Sequence, residues 1–233
     1  MFFVRRFDQK FSAQKSAILL MLIAAISFPL MDSMAKQLSY SLPLMQIVWA
    51  RYTGQFLLIL VIFLPRLHSV MKTAQPGLQF ARSVALFGGT FFFFTSLKFM
   101  DIGQVAAIFQ IAPVVITVMA VLFLGERIGV RRSVSLVVGF SGALVIIQPH
   151  SLFFNAAEDS VNIVSFTSFL PMCAATCYAG YSVLTRQVKS GESSDTSLFY
   201  TAAFGAVLTS LFLPFIWHTP HTWLEITLMM SMS

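Results

Sequence analysis

The sequence predicts an all-α protein that crosses a membrane several times. Three observations predict it. First, the 233 residues are 57% hydrophobic and 10% charged, with 25 Phe, 12 Met and a mean hydropathy of +0.81; soluble domains carry roughly a quarter charged residues. Second, apolar runs of about 20 residues, the length that spans a hydrocarbon core, recur between chain breakers. Third, Lys and Arg concentrate on alternate connections. The composition excludes a soluble enzyme domain, a disordered chain and a secreted disulfide scaffold. Alternating barrel strands of about ten residues are absent from the pattern.

Seven runs read as helices. Run 1 (16–35) follows Arg5, Arg6, Lys10 and Lys15. Ser33-Met34-Ala35 faintly resembles a signal-peptide cleavage site, but Pro29, Asp32 and the full span length favour a retained helix. Run 2 (43–64) ends at Pro65-Arg66, and run 3 (78–97) follows Gln75-Pro76-Gly77. Run 4 (105–125) closes on Glu126-Arg127. Run 5 (133–148) lies between Arg131-Arg132 and Pro149-His150. Runs 6 (163–185) and 7 (196–217) flank Ser190-Gly191-Glu192; such Pro, Gly and charged clusters mark the joints. Residues 224–233 resemble the opening turns of an eighth helix. Cys173 and Cys177, four apart in run 6, are badly oriented for a disulfide and read as small packing residues.

Four Lys or Arg precede run 1. Arg66, Lys72 and Arg82 belong to the second connection, Arg127, Arg131 and Arg132 to the fourth, and Arg186 and Lys189 to the sixth. The opposite connections hold Lys36 and Lys98 alone. This positive-inside bias places the N-terminus in the cytoplasm. It also accounts for the net charge of +6 without a nucleic-acid partner.

The chain matches itself weakly. At an offset of 150, Ala24-Ala25 meets Ala174-Ala175, Phe28 meets Tyr178, and Lys36-Gln37-Leu38 meets Arg186-Gln187-Val188; near the same offset Phe63-Leu64-Pro65 meets Phe212-Leu213-Pro214. Five helices separate the copies, so the second is inverted. Inverted repeats place a substrate site at their interface in many secondary transporters. A complete second copy would end near residue 300, and three helices are then expected beyond Ser233.

Asp32 and Arg51 are the charges well inside the runs, where such groups face a cavity or a partner. At about 1.5 Å per residue, Asp32 lies ~6 Å and Arg51 ~12 Å from the outer ends of their helices. An Asp32–Arg51 pair is feasible, for substrate binding, proton coupling or structure; so is Asp32 with Lys36 at i, i+4. On run 6, Tyr178, Tyr181, Ser182 and Thr185 share one face, and Asp32 falls on the matching face of run 1. These faces line a central cavity, or pack helices as hydrogen-bonding glue. Gln55 stands one turn beyond Arg51. Gln110 shares a face with Pro113 and Thr117, and a buried Gln needs partners. Pro29 and Pro113 can kink their helices. Gly88-Gly89, Gly139 and Gly142 permit close helix approach. The substrate-contact candidates are therefore Asp32, Arg51, Gln55, Gln110, Tyr178, Tyr181 and Ser182.

Ala106-Ala107, Ala112-Pro113, Leu122-Phe123-Leu124-Gly125-Glu126-Arg127, Gly139, Gly142 and Gln148-Pro149, with Arg51 and Arg82, resemble the drug/metabolite transporter superfamily of EamA type. The resemblance covers about residues 16–233. It implies a ten-helix carrier of two inverted five-helix repeats for small metabolites or drugs, in a bacterial inner membrane. On this frame 1–15 is a cytoplasmic segment, 16–149 the first repeat and 163–233 an incomplete second one, truncated after helix 7 to early helix 8. Glu126-Arg127 reads as a structural interfacial turn. The expected partners are a small-molecule substrate and the lipid bilayer; a coupling proton and a homo-oligomer remain open.

Three rivals compete. A membrane-embedded enzyme lacks its cluster: no H-E-x-x-H or Asp-rich pair occurs, and His218-x-x-His221 offers too few ligands for a closed zinc site. No cofactor is expected, since His68, His150, His218 and His221 lie in loops. A channel lacks repeated polar rings. A truncated, non-transporting remnant of a carrier is the third.

Overall fold

The structure, a computed structural model, describes residues 2–126, 129–146, 167–188, 192–219 and 222–232. These residues form helices α1 (Phe2–Leu38), α2 (Leu44–Phe63), α3 (Leu67–Val70), α4 (Pro76–Phe99), α5 (Ile102–Phe109), α6 (Ala112–Leu124), α7 (Val130–Ile146), α8 (Phe169–Gln187), α9 (Ser194–Ile216) and α10 (Trp223–Ser231), with a 3₁₀ turn over Leu64–Arg66. No strand occurs among them. Among the described residues five segments are long and apolar enough to cross a membrane: Ile18–Leu38, Leu44–Val70, Pro76–Phe99, Ile102–Leu124 and Ser194–Ile216. The connection at 149–150 and the start of run 6 lie outside the described residues.

Local chemistry sets several helix ends. Pro76 occupies the first turn of α4, where a missing N–H costs nothing. The Ser193 hydroxyl accepts from the Thr196 N–H at 3.1 Å and caps α9. Thr222 and Glu225 close a capping box on α10. Gly125 ends α6 at φ 65°, a left-handed position that glycine adopts without a Cβ penalty.

Run 4 is not one helix. Pro113 lies in the first turn of α6 and Gln110-Ile111 separates it from α5. The proline expected to kink the helix breaks it, because its ring excludes the N–H of position 113 from the α5 ladder. Gln110 therefore shares no continuous helix face with Pro113 and Thr117, and its side chain is exposed. Arg82, counted with the second connection although run 3 already reaches back to 78, sits within α4, which begins six residues before it.

α4 is the hub, packed against α8, α9, α1, α2 and α5; α2 also packs on α9, and α8 on α6. A Cβ on Gly89 would stand 3.4 Å from the Ala174 carbonyl, and one on Gly88 3.4 Å from Cys177 Sγ, so small residues let α4 and α8 approach, as expected of this pair. The core falls into two clusters. One, around Leu38, Ile47, Val48, Phe94 and Leu97, joins α1, α2 and α4. The other, around Ile59, Val70, Phe199 and Ala202, joins α2, α3 and α9. Large apolar side chains outside them, such as Leu20, Val61, Leu122 and Phe215, are exposed, as a lipid-facing surface requires.

Candidate functional site

α1 meets α4 and α5 near its C-terminal end. There Lys36 does not pair with Asp32: its Nζ donates to the Leu97 and Met100 carbonyls at 2.6 and 2.9 Å. It thereby caps the C-terminus of α4, where a cation is favoured by the helix dipole. Nor do Asp32 and Arg51 form a direct ion pair among the described contacts. The guanidinium of Arg51 lies over the rings of Phe94 at 5.3 Å and Tyr52 at 6.0 Å, although its charge still bears on Asp32. The reason is competition: a guanidinium is weakly hydrated and stacks readily on aromatic faces, and the buried Phe94 is at hand.

From Arg51 a continuous series of rings crosses the bundle. Phe94 meets Phe93 (centroids 6.3 Å), Phe93 meets Phe109 (5.2 Å), Phe109 meets Tyr178 (5.6 Å) and Tyr178 meets Tyr181 (6.1 Å). The series ends at Arg82, whose guanidinium lies 5.1 Å over the Tyr181 ring and donates from Nη2 to its hydroxyl at 3.4 Å. A cation thus stands at each end of a ladder of rings contributed by α4, α5 and α8. Tyr52 flanks the ladder, donating to Thr90 Oγ1 at 3.0 Å with its ring 5.7 Å from Phe87.

The structure therefore brings Tyr178, Tyr181 and Arg51 into one array. Ser182 and Gln55 are half-buried beside it in sequence, and Thr185 is exposed, its hydroxyl bonded to the Tyr181 carbonyl. Phe94 is core, at 1% exposure. Glu126 pairs with Arg186 across α6 and α8 at 3.1 Å, which fits a structural end-tie; Arg127 lies outside the described residues.

Two functional candidates escaped the sequence reading. Gln79 is fully buried on α4, and Glu192 gathers donors from Thr73, Ala74, Gln75 and Gln79. The bonds that join Glu192 to Thr73, Ala74, Gln75 and Gln79 span more than 100 residues, so no local pattern signals them. Burial raises the Glu192 carboxyl pKa, but these four hydrogen bonds outweigh it and hold the group below the ordinary glutamate value. Among the described residues no three His, Cys, Asp or Glu side chains gather to hold a metal ion.

Apolar spans around a helical hub, with few charges held inside, are the features of a polytopic membrane protein. Residues 15–148 match the EamA-like transporter family, and the chain belongs to that family. Its relatives include a riboflavin transporter of Vibrio cholerae serotype O1, 28% identical over 77% of this chain and 58% of the relative. An S-adenosylmethionine uptake transporter of Rickettsia felis is 26% identical over 85% of this chain and 64% of the relative. A pseudopaline exporter of Pseudomonas aeruginosa is 26% identical over 88% and 67%. The chain thus spans under two thirds of the length of the first two. One solved crystal structure shares the fold, with a TM-score of 0.63 and 19% identity over 90% of this chain and 72% of that one. Family and relatives are named for transport and not for catalysis.

Proposed function

We propose that the chain is a carrier, or the larger part of one, that moves a small metabolite by alternating access. Its two units, 16–149 and 163–233, are inverted repeats, with the N-terminus in the cytoplasm and the ring ladder on the substrate path. The observation that carries this is the ladder with a cation at each end. Buried guanidinium groups on aromatic faces can hold an anionic or acceptor-rich group, and rings from three helices can stack on a flat, unsaturated portion. The relatives' substrates are small molecules, which supports the same class here. Asp32, beside Arg51 in charge effect, is the candidate carrier of a coupling proton. Gln55, Gln110 and Ser182 complete the proposed contacts.

The test is flux. Proteoliposomes holding the chain are supplied in turn with labelled riboflavin and S-adenosylmethionine, with and without an imposed proton gradient. Saturable uptake is expected for a small metabolite. Arg51→Ala, inserted in equal amount, should lower it at least tenfold, the effect of about 1.4 kcal/mol of lost binding. Unchanged kinetics in that variant would remove Arg51 from the path, and chemical conversion of a substrate would favour an enzyme.

A further inference from the structure

The polar cluster where α4 and α9 begin has a direction. Glu192 Oε1 accepts from the Thr73 hydroxyl, from the Ala74 N–H at 2.8 Å and from the Gln75 N–H at 3.2 Å. Its Oε2 accepts from Gln79 Nε2 at 2.5 Å. Gln79 Oε1 in turn accepts from Arg82 Nη1 at 3.2 Å, and Arg82 reaches Tyr181 at the end of the ring ladder. Arg82 is 3% exposed and Gln79 0%. Along this line the donors run from Arg82 through Gln79 to Glu192, and Gln79 Nε2 also donates to Ser197 Oγ at 3.3 Å. The order is fixed by chemistry: a guanidinium only donates, a carboxylate only accepts, and the amide between them does one of each. A cavity of about 570 Å³, lined in part by Ser69, Lys72 and Thr196, opens beside the carboxylate.

We propose that Glu192 is the positioning residue of an inner gate. Through Gln79 it fixes Arg82 over Tyr181, and it ties the 73–75 loop to the start of α9. This rests on the carrier reading above. Closing that end of the bundle and arranging the end of the ladder become one event, because a single carboxylate holds both. Opening toward the cytoplasm breaks the bonds to Thr73, Ala74 and Gln75 and releases Arg82 at the same time.

The donor order supplies a test that lost packing cannot imitate. In Glu192→Gln the new amide keeps its oxygen for the loop and turns its nitrogen onto Gln79 Nε2, donor against donor. Flipping Gln79 only transfers the conflict to Arg82. The paired variant Gln79→Glu/Glu192→Gln restores the order: the amide at 192 donates to the new carboxylate at 79, which accepts from Arg82. The readout is the rate at which a hydrophilic maleimide labels a buried reporter in detergent micelles, in a Cys173→Ala/Cys177→Ala background. Ser83→Cys, at a site 2% exposed one turn along α4 from Gln79, reports the inner end; Ser39→Cys, at a site 7% exposed, reports the outer end.

Glu192→Gln should raise labelling at position 83 about tenfold, the ratio expected from losing one charge-assisted hydrogen bond, and leave position 39 unchanged. The paired variant should return the rate to within about twofold of the parent. The proposal is overturned by an unaltered rate in Glu192→Gln, by a rise at both positions, or by failure of the paired variant to restore the parent rate. Labelling needs no substrate, so a gate without flux sinks the carrier reading alone, and flux without the gate sinks this inference alone.

Discussion

Gly205→Ala should destabilise the bundle although alanine is the better helix former. A Cβ at position 205 would fall within 3.0 Å of three atoms of the Tyr52 ring. Ordinary carbon contacts begin near 3.5 Å, so the ring must retreat by about 1 Å. It has little room: Tyr52 is 3% exposed, its hydroxyl is held by Thr90, and Arg51 lies over its face. Overpacking of this kind costs about 1–3 kcal/mol, and straining the Thr90 bond adds ~1 kcal/mol. Relief of glycine's backbone entropy returns about 0.5–1 kcal/mol. The net loss is ~2 kcal/mol, and at roughly 2–4 °C per kcal/mol for a chain of this size the melting midpoint should fall by about 4–8 °C. Thermal unfolding in detergent, followed by tryptophan fluorescence, measures it. The double variant Tyr52→Ala/Gly205→Ala should melt no lower than Tyr52→Ala alone, because the obstacle is gone. A melting point unmoved by Gly205→Ala, or an equal drop in the Tyr52→Ala background, would refute the steric account.

Three further outcomes are expected. The depressed Glu192 pKa means the folded state holds the proton less tightly than the unfolded chain. Its contribution is therefore full above about pH 4.5, the unperturbed glutamate value, and is lost as pH falls through the lower folded value; proteolysis of the 71–76 loop between pH 6 and about pH 3 should speed up in the parent and vary less in Glu192→Gln. Gln46 is fully buried and clamps His218 through both backbone groups at 2.8 and 3.1 Å, so Gln46→Leu should cost about 1–3 kcal/mol in the same melting assay; a neutral result would mean the His218 groups find other partners. The Glu126–Arg186 pair is about one third exposed on each side, and such pairs contribute ~0–1 kcal/mol. Glu126→Gln should therefore shift melting by less than about 4 °C, and a larger fall would show that the tie does more than its exposure implies.

Much of the fold was legible because bilayer helices announce themselves by length. Runs 2 and 7 match α2 and α9 to within two residues at each end, since Pro43, Pro65 and the polar residues before 194 leave little choice. In run 4 two rules act together: its apolar length makes one span, Ile102–Leu124, while Pro113 splits the helix within it. Arg82 was grouped with a loop by its charge, yet its guanidinium is buried under Tyr181 and against Gln79. The tyrosine stripe of run 6 was legible from helical spacing alone. What it meets was not, because Phe93 and Phe109 reach it only once α4 and α5 are packed. Depth makes an Asp32–Arg51 pair feasible, and an Asp32–Lys36 pair too, but it says nothing about which ring or carbonyl competes for a cation.

The attachment of α1 has a mechanical consequence. Its contacts lie near its C-terminal end, where Lys36 is pinned to α4 and Ala35 and Leu38 are buried, whereas Ile18 through Leu30 is exposed. The eighteen residues between Ile18 and Lys36 form an arm of ~27 Å at 1.5 Å per residue. Such an arm is a lever with its fulcrum at the C-terminal end of α1. A tilt of ~10° at the pin sweeps the far tip by roughly 5 Å, about one helical turn. Modest slack between Lys36 and two carbonyls is thereby magnified at the opposite face of the bilayer.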